Sequence, residues 1–306
     1  MTGASCPEDG RQERLPVEAV LPDLLASLQE RSNLVLIAPP GAGKTTAVAP
    51  ALLGARWCTG RILLLSPRRI AARAAAERMA ELAGEPVGQT IGYATRLDTR
   101  QSPATRILVV TEGIFRNRIK AEPDLPGISA VIFDEVHERS LDSDFSLALA
   151  LDAQSALRPD LRIIAMSATL DGSRFAALMN ARTIESAGRS HALAIRHIGR
   201  RSDTSIEDDM AAAIRRALTE EEGDILAFLP GVAEIERAAD RLAGINARIH
   251  RLHGSLDPAE QRAAIRKGPE RKLILATSIA ETSLTIDGVR IVVDSGLARR
   301  ARHDRS

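Results

Sequence analysis

Short apolar runs alternate with alanine-rich, amphipathic stretches along most of this chain. Strands of a buried parallel sheet are continuous apolar runs, whereas helices repeat their apolar residues with a helical period. In the first half, this pattern predicts strands over 33–38, 61–66, 106–110, 128–133 and 161–166. It also predicts a helix over 17–30, broken near Pro22 because proline lacks a backbone N–H, and a helix that follows 61–66 and ends near Ala83.

The alternation returns in the second half, with predicted helices over 203–219 and 232–243 and strands over 224–229, 247–252, 273–276 and 290–293. Residues 192–198 have a pattern that is typical of either a strand or a linker. Strands and helices that alternate in this way predict an α/β fold with two parallel sheets in tandem. We expect a disordered polar tail over 1–14, a first domain over 15–185 and a second domain over 190–306.

Composition narrows the class of protein only slightly. Lys and Arg number 41 against 40 Asp and Glu, and this balance argues neither for nor against nucleic acid, because a local groove can be basic on a neutral protein. Aromatic residues make up 2% of the chain, which argues against base stacking as the main binding mode. Cys6 and Cys58 have no metal or redox spacing, which indicates a reduced, cytoplasmic setting. We expect no signal peptide and no membrane segment.

A glycine-rich segment stands between the first predicted strand and a helix predicted to begin at Ala47; it reads Ala38-Pro39-Pro40-Gly41-Ala42-Gly43-Lys44-Thr45-Thr46. Backbone N–H groups of such a turn can point at phosphate oxygens, and the helix dipole favours the same negative charge. Lys44 would reach the β- and γ-phosphates and the Thr45 hydroxyl would bind Mg²⁺. The alternative is a purely structural turn, but the flanking elements and the Gly-Lys-Thr core favour a nucleoside triphosphate site.

An acidic pair follows the apolar strand 128–133, as Asp134 and Glu135, and His137 comes just after it. The carboxyl ends of parallel strands meet at one edge of a sheet, where ligands bind. One carboxylate could hold Mg²⁺ against the phosphates while its neighbour orients the attacking water. The alternative is an exposed acidic turn, since Glu138 and Asp142 lie nearby, but the upstream loop favours the catalytic interpretation.

Four motifs occur in a fixed order: Gly41-Ala42-Gly43-Lys44-Thr45, Asp134-Glu135-Val136-His137-Glu138-Arg139-Ser140, Ser167-Ala168-Thr169, and a long motif from Thr277 to Gly288. Together they resemble the superfamily 2 DEAH/RHA helicases. Two further stretches, Pro67 to Arg73 and Thr111-Glu112-Gly113, make the chain most similar to the bacterial HrpB-type ATP-dependent helicases. The resemblance runs from about residue 15 to about residue 300.

This resemblance implies two RecA-like domains that use ATP and Mg²⁺ and act on single-stranded nucleic acid, with RNA expected. It assigns phosphate contacts to residues 38–46, metal binding to Thr45, Asp134 and Glu135, and the role of general base to Glu135. His137, Ser167 and Thr169 would couple the γ-phosphate to the second domain. One arginine of the stretch from Pro67 to Arg73 would lie against the adenine, and we assign this contact to Arg69. The RNA path would include Arg68, Thr111, Gly113, Gly231, Gly254, Ser255 and Thr277.

Simpler interpretations remain for some of these residues. Arg68 and Arg69 could be the solvated start of a helix, and Ser167 and Thr169 could cap a helix ahead of Ser173. Val136 stands where the family pattern has alanine, which should be harmless if its side chain points into the core, and His253 stands where tyrosine is frequent.

The resemblance also sets an expectation for the end of the chain. The family continues with a hairpin and a helix whose arginines contact the γ-phosphate, and we find no such pattern before Ser306. We therefore expect the second domain to be incomplete and turnover to be poor, since Arg299, Arg300, Arg302 and Arg305 have no helix to orient them. A DNA-directed translocase and a nucleotide-regulated RNA-binding fragment are the alternative functions.

Overall fold

The computed structural model describes residues 15–169, 172–188, 192–200, 203–280 and 286–299. The predicted tail over 1–14, motif residues 281–285 and the arginines at 300, 302 and 305 lie outside the described residues. The chain divides into two compact units, Met1–Pro67 with Ala75–Ser190 and Arg68–Ala74 with His191–Ser306. The domain boundaries predicted from the sequence stay a prediction.

The described residues of the first unit contain one sheet. Its strands are β1 (Asn33–Ile37), β2 (Arg61–Ser66), β3 (Ile91–Ala94), β4 (Thr99–Arg100), β5 (Ile107–Thr111), β6 (Ile128–Phe133), β7 (Arg162–Ser167) and β8 (Arg182–Glu185). They form an 8-stranded sheet in the order β4-β3-β5-β2-β6-β7-β1-β8. All neighbouring strands are parallel except the β3–β4 hairpin.

The helices of the first half are α1 (Leu21–Glu30), α2 (Lys44–Leu52), α3 (Arg69–Leu82), α4 (Glu112–Ala121), α5 (Leu141–Ala156) and α6 (Gly172–Met179). Short 3-10 turns cover Pro16–Val20 and Val136–Glu138. The central strands of the sheet are almost entirely apolar, and every residue of β6 is buried. Burial of each such Leu, Ile, Val or Phe side chain contributes about 1.5–3 kcal/mol, so the central strands dominate the stability of this unit.

The second unit contains a smaller sheet made of β9 (Asp224–Phe228), β10 (Arg248–Leu252), β11 (Lys272–Ala276) and β12 (Val289–Asp294). These form a 4-stranded, all-parallel sheet in the order β10-β11-β9-β12. Its helices are α7 (Ile206–Glu220), α8 (Val232–Arg241) and α9 (Pro258–Ile265). The prediction of an α/β fold with two parallel sheets is therefore confirmed. Within the described ranges, no helix is both long and apolar enough to cross a bilayer.

Several local predictions differ from the structure. The break in the first helical segment precedes Pro22, which lies in the first turn of α1, where a missing N–H costs nothing. The helix after the phosphate loop begins at Lys44, ahead of the predicted Ala47, because Gly43 takes the left-handed conformation that starts it. Sequence analysis missed the strands β3, β4 and β8, which are short, and the helices α4, α5, α6 and α9. Residues 192–200 are exposed and form neither helix nor strand, which favours the linker interpretation.

Candidate nucleotide site and nucleic-acid edge

The glycine-rich loop connects β1 to α2, and two of its glycines adopt positive φ angles. Gly41 has φ +76° and Gly43 has φ +87°, a region that is costly for residues with a Cβ atom. Gly43 is the N-cap of α2, and its carbonyl accepts hydrogen bonds from the N–H groups of Thr46 and Ala47. The N–H groups of Lys44 and Thr45 have no carbonyl four residues before them within the helix, so the loop and the first turn are suited to bind an anion.

Neighbouring segments fix the shape of this loop. The Val17 N–H donates to the Ala42 carbonyl at 3.1 Å, and the Ala38 N–H donates to the Ser167 carbonyl at 3.0 Å. Gly188 packs directly against the loop, because a Cβ atom on it would lie 1.8 Å from Cγ of Pro39. The loop is therefore held by the 3-10 turn before α1, by the end of β7 and by the segment after β8.

Lys44 lies inside the loop and its residue is only 4% exposed. Its Nζ donates to the Ala38 carbonyl at 2.8 Å and lies 3.9 Å from Oε1 of Glu135. A buried ammonium group needs anionic or carbonyl partners, because leaving it unpaired costs several kcal/mol (about 3–5). The position is thus suited to a charge-assisted contact with phosphate oxygens.

Asp134 meets α2 through a direct side-chain contact. Its Oδ2 accepts a hydrogen bond from Oγ1 of Thr45 at 2.6 Å, and its Oδ1 accepts the Glu135 N–H at 3.0 Å. Burial, with the adjacent Glu135 carboxylate, raises the pKa of Asp134. Burial also raises the pKa of Glu135, against the opposing effect of Lys44. Two crowded carboxylates beside a single ammonium form a pocket that a further cation would stabilise.

The donor set of this pocket fits Mg²⁺, which prefers hydroxyl, carboxylate and phosphate oxygens. In the part of the chain that the structure describes, no cluster of three or more His, Cys, Asp or Glu could hold a metal by itself. Mg²⁺ usually binds through one or two protein groups together with water and substrate phosphates. Thr45 and Asp134 are therefore suited to be the protein ligands of a Mg²⁺–nucleotide site.

Glu135 has a backbone conformation that is rare for a residue with a side chain. Its φ of 53° is left-handed, and Arg139 at the other end of the same 3-10 turn also has φ 53°. Such residues cost about 1–3 kcal/mol each and concentrate at functional sites. Between them Val136 is buried in the core, as predicted from its place in the motif.

His137 connects this turn to the end of β7. Its Nδ1 accepts the Ala168 N–H at 3.2 Å, so this nitrogen carries no proton. The 3.3 Å approach of the same Nδ1 to Oε2 of Glu135 is then a contact between two acceptors, not an ion pair. Burial and the nearby Lys44 ammonium both lower the pKa of His137, which favours the neutral ring.

Ser167 and Thr169 form a tight turn around Ala168. The Ser167 hydroxyl accepts the Thr169 N–H at 3.2 Å and donates to the Thr169 carbonyl at 3.0 Å. It therefore organises its own turn. Sequence analysis missed the role of Ala168, because it acts through its backbone N–H and no side-chain pattern reveals this.

The predicted nucleic-acid residues lie at the carboxyl edge of each sheet. In the first unit Thr111 ends β5 and Gly113 lies in the first turn of α4. In the second unit, Gly231 is the N-cap of α8, and three residues follow strand ends: Gly254 and Ser255 after β10, and Thr277 after β11. Arg68 directly precedes α3 and Arg69 is its first residue.

Two side chains of the second unit lie against Gly231. A Cβ atom there would lie 2.8 Å from Oε2 of Glu234 and 3.2 Å from Nε of Arg299. The Arg299 guanidinium also donates to Oε1 of Glu234 at 2.9 Å. Both atoms lie near the far ends of flexible side chains that can move aside, so this packing does not by itself require glycine, and a role of Gly231 in nucleic-acid binding stays a prediction.

Sequence analysis missed one feature of the first sheet edge, the turn between β3 and β4. Ala94 at the end of β3 pairs with Val110 of β5, so the turn lies beside Thr111. Hydrogen bonds close the turn, from the Thr95 N–H to the Asp98 carbonyl at 2.8 Å and from the Tyr93 hydroxyl to Oδ2 of Asp98 at 2.5 Å. Arg96 and Leu97 are exposed at its tip. The Thr-x-x-Asp pattern was the available signal.

Tandem parallel sheets, with a phosphate loop facing a strand-end Asp-Glu pair on the first of them, define a RecA-like nucleotide-binding protein. Residues 18–178 match the family model described as DEAD/DEAH box helicase, and residues 209–304 match the helicase conserved C-terminal domain. The chain therefore belongs to the DEAD/DEAH box helicase family.

Individual relatives agree with the resemblance drawn from the motifs. The chain is 45% identical over 296 residues to the ATP-dependent RNA helicase HrpB of Escherichia coli (strain K12), covering 95% of this chain and 37% of that protein. It is 36% identical over 310 residues to the ATP-dependent RNA helicase HrpA of the same organism, covering 98% and 24%. The chain thus spans well under half the length of these relatives.

The structural comparison gives the same result. A crystal structure of the E. coli DEAH/RHA helicase HrpB matches with a TM-score of 0.88 at 46% identity, over 95% of this chain and 38% of that chain. The resemblance to HrpB-type helicases and the RecA-like fold class are confirmed.

The contact of Gly188 with Pro39 generates a prediction about loop stability. Gly188→Ala should lower the free energy of unfolding by about 1–3 kcal/mol, because its Cβ atom overlaps Cγ of Pro39. The matched control is Gly54→Ala, since a Cβ atom at Gly54 would meet nothing within 4 Å. Urea unfolding of both variants measures the difference. Equal stability of Gly188→Ala and Gly54→Ala would contradict the packing described here.

Proposed function

We propose that this chain binds ATP with Mg²⁺, hydrolyses it, and couples the cycle to single-stranded RNA as part of an ATP-dependent RNA helicase. The observation that carries this proposal is the meeting of Lys44, Thr45, Asp134 and Glu135, above all the 2.6 Å bond from Thr45 to Asp134. Hydrolysis of a nucleoside triphosphate needs phosphate contacts, a metal and a group that orients water, and these four residues supply the protein part of each.

Each residue of the site has a proposed part in this chemistry. Within residues 38–46, Pro39 and Pro40 have no N–H, and the N–H groups of Ala38, Ala42 and Thr46 donate to carbonyls. The N–H groups of Gly41, Gly43, Lys44 and Thr45, together with the Lys44 ammonium, hold the β- and γ-phosphates, and Arg69 lies against the adenine. Thr45 and Asp134 hold Mg²⁺, Asp134 mostly through water; the ion neutralises developing charge on the phosphate oxygens. Glu135 is the general base that orients the attacking water, with its carboxylate held near the Lys44 ammonium.

His137, Ser167 and Thr169 are proposed to sense whether the γ-phosphate is present. The support is the hydrogen bond from the Ala168 N–H to His137, because it joins the turn that carries Glu135 to the end of β7. The Ser167 carbonyl in turn holds Ala38 at the start of the phosphate loop. A change at the γ-phosphate can therefore pass from Glu135 to this turn through direct contacts.

RNA is proposed to run along the strand ends, contacting Arg68, Thr111 and Gly113 and, on the second sheet, Gly231, Gly254, Ser255 and Thr277. Small and hydroxyl residues at these positions suit contacts with phosphate and ribose, so binding would be nearly independent of sequence. We add Arg96, which is exposed beside Thr111. The relatives HrpB and HrpA are named as RNA helicases, which favours RNA over DNA. The cysteine usage supports a cytoplasmic location.

The phosphate contacts generate a prediction for ATP binding. Lys44→Ala should remove most of the affinity for Mg·ATP while the fold is retained, because each charge-assisted phosphate contact contributes about 1.5–3 kcal/mol. Lys120→Ala is the matched control, since Lys120 is exposed on α4. Isothermal titration calorimetry with ATP and Mg²⁺ measures both variants. Unchanged affinity in Lys44→Ala would exclude this loop as the phosphate site.

The exposed turn of the first sheet generates a prediction for RNA binding. Arg96→Ala should weaken binding of a single-stranded RNA oligonucleotide and reduce the slope of log affinity against log salt by about 0.7, the value for one lost phosphate contact. Arg182→Ala is the control, because Arg182 begins β8 at the opposite edge of the sheet. Fluorescence anisotropy at several salt concentrations measures the slope.

The same titration with a DNA oligonucleotide of equal sequence separates the two nucleic acids, since only RNA offers the 2′-hydroxyl. Equal slopes for Arg96→Ala and Arg182→Ala would remove Arg96 from the proposed path. Tighter binding of DNA than of RNA would favour a DNA-directed translocase.

A further inference from the structure

Two residues outside the proposed site join its nucleotide end to its RNA end within the first unit. Glu112 lies between Thr111 and Gly113 and begins α4, and it is only 8% exposed. The Ser140 hydroxyl lies 3.2 Å from Oε1 and 3.3 Å from Oε2 of Glu112 and donates to this carboxylate. Ser140 ends the acidic motif that contains Glu135 and His137.

The Oγ atom of Ser140 makes a second hydrogen bond. It is the N-cap of α5, and its Oγ accepts the Ser143 N–H at 2.9 Å. One hydroxyl therefore accepts from the first turn of α5 and donates to Glu112 at the start of α4. A shift of α4 changes the hydrogen bond that sets where α5 begins, and α5 begins directly after the turn of Glu135 and His137.

The segment between Glu135 and Ser140 is held so that such a shift is transmitted. Both Glu135 and Arg139 have positive φ. The Arg139 guanidinium donates to Oδ2 of Asp144 at 2.9 and 3.1 Å and lies 5.4 Å from the centre of the Phe175 ring. A strained segment fixed at both ends has few alternative conformations, so displacement of Ser140 moves the turn as a unit.

The surroundings of Glu112 make the free energy of its carboxylate depend on the hydrogen bond from Ser140. Burial raises the pKa of Glu112, hydrogen bonds from Ser140 and Ser143 oppose this, and the nearby Asp142 and Glu138 raise it further. A buried carboxylate among other acids depends on its hydroxyl donors, because a buried polar group without a partner carries its full desolvation cost. Its position is therefore sensitive to where Ser140 lies.

We propose that Glu112 is a positioning residue that couples RNA binding at Thr111 and Gly113 to the nucleotide site at Glu135 and His137 through its hydrogen bond with Ser140. The inference rests on the proposed function, since it needs both ligands to bind. A separate ion pair, Arg116 with Asp142, joins the same two helices. Loss of the Glu112 bond therefore leaves α4 attached to α5.

The test measures the coupling between the two ligands. Affinity for a single-stranded RNA oligonucleotide is determined with and without a non-hydrolysable ATP analogue and Mg²⁺, and the ratio of the two dissociation constants is the coupling factor. Allosteric coupling typically changes affinity by about 5- to 150-fold. In Glu112→Met, which keeps the length of the side chain but accepts no hydrogen bond from a hydroxyl, this ratio should fall to within about twofold of one.

Two further variants make the result specific. Glu112→Gln still accepts the Ser140 hydroxyl and should retain most of the coupling, whereas a purely structural or charge role would give the same loss in both variants. Glu122→Met is the matched control, because Glu122 is exposed beyond the end of α4 and should leave the ratio at the parent value.

Coupling in Glu112→Met equal to the parent, or equal losses in Glu112→Met and Glu122→Met, would overturn the proposal. A parent chain that binds both ligands with no coupling would overturn it while leaving the proposed function intact. A parent chain that binds neither ligand would contradict the proposed function itself, and the coupling with it.

Discussion

The hydrogen bond between Thr45 and Asp134 is the contact on which the nucleotide site depends. These residues follow β1 and β6, which are not neighbours, because β7 lies between them in the sheet. Parallel pairing brings the ends of all three strands to one edge, so Ala38, Asp134 and Ser167 stand side by side. The backbone bond from Ala38 to Ser167 and the bond from Ala168 to His137 follow from this strand order. A different order would separate the same motifs.

This arrangement is stabilised by the core and carries local strain at the site. The apolar strands supply the burial that fixes the edge, while Glu135 and Arg139 adopt left-handed conformations beside it. Burial also crowds the carboxylates of Asp134 and Glu135 against Lys44. The rigid sheet offsets the free-energy cost of this strain and crowding. A bound cation and phosphate would relieve the charge imbalance.

Much of the nucleotide site could be predicted from the sequence, because the residues that carry its chemistry lie in contiguous motifs. Residues 38–46 and the pair Asp134-Glu135 are each adjacent to a strongly apolar strand, and β6 has the predicted bounds. The strands β3, β4 and β8 were missed because they are only two to four residues long, and the edge strands β4 and β8 include polar residues such as Arg100 and Thr183. Neither the packing of Gly188 on Pro39 nor the bond between Glu112 and Ser140 is visible in the sequence, because each joins residues far apart in the chain.

The central claim is that Asp134 and Lys44 bind the Mg²⁺–nucleotide while Glu135 acts in the chemical step, and one variant separates binding from chemistry. Glu135→Gln keeps the size and hydrogen-bonding reach of the side chain and removes its basicity. ATP affinity by calorimetry should match the parent, and the RNA-stimulated hydrolysis rate, measured in the chain extended to the length of its relatives, should fall by about 10²- to 10⁴-fold, the usual contribution of a general base. Hydrolysis at the parent rate, or a loss of ATP binding as large as that of Lys44→Ala, would contradict the account.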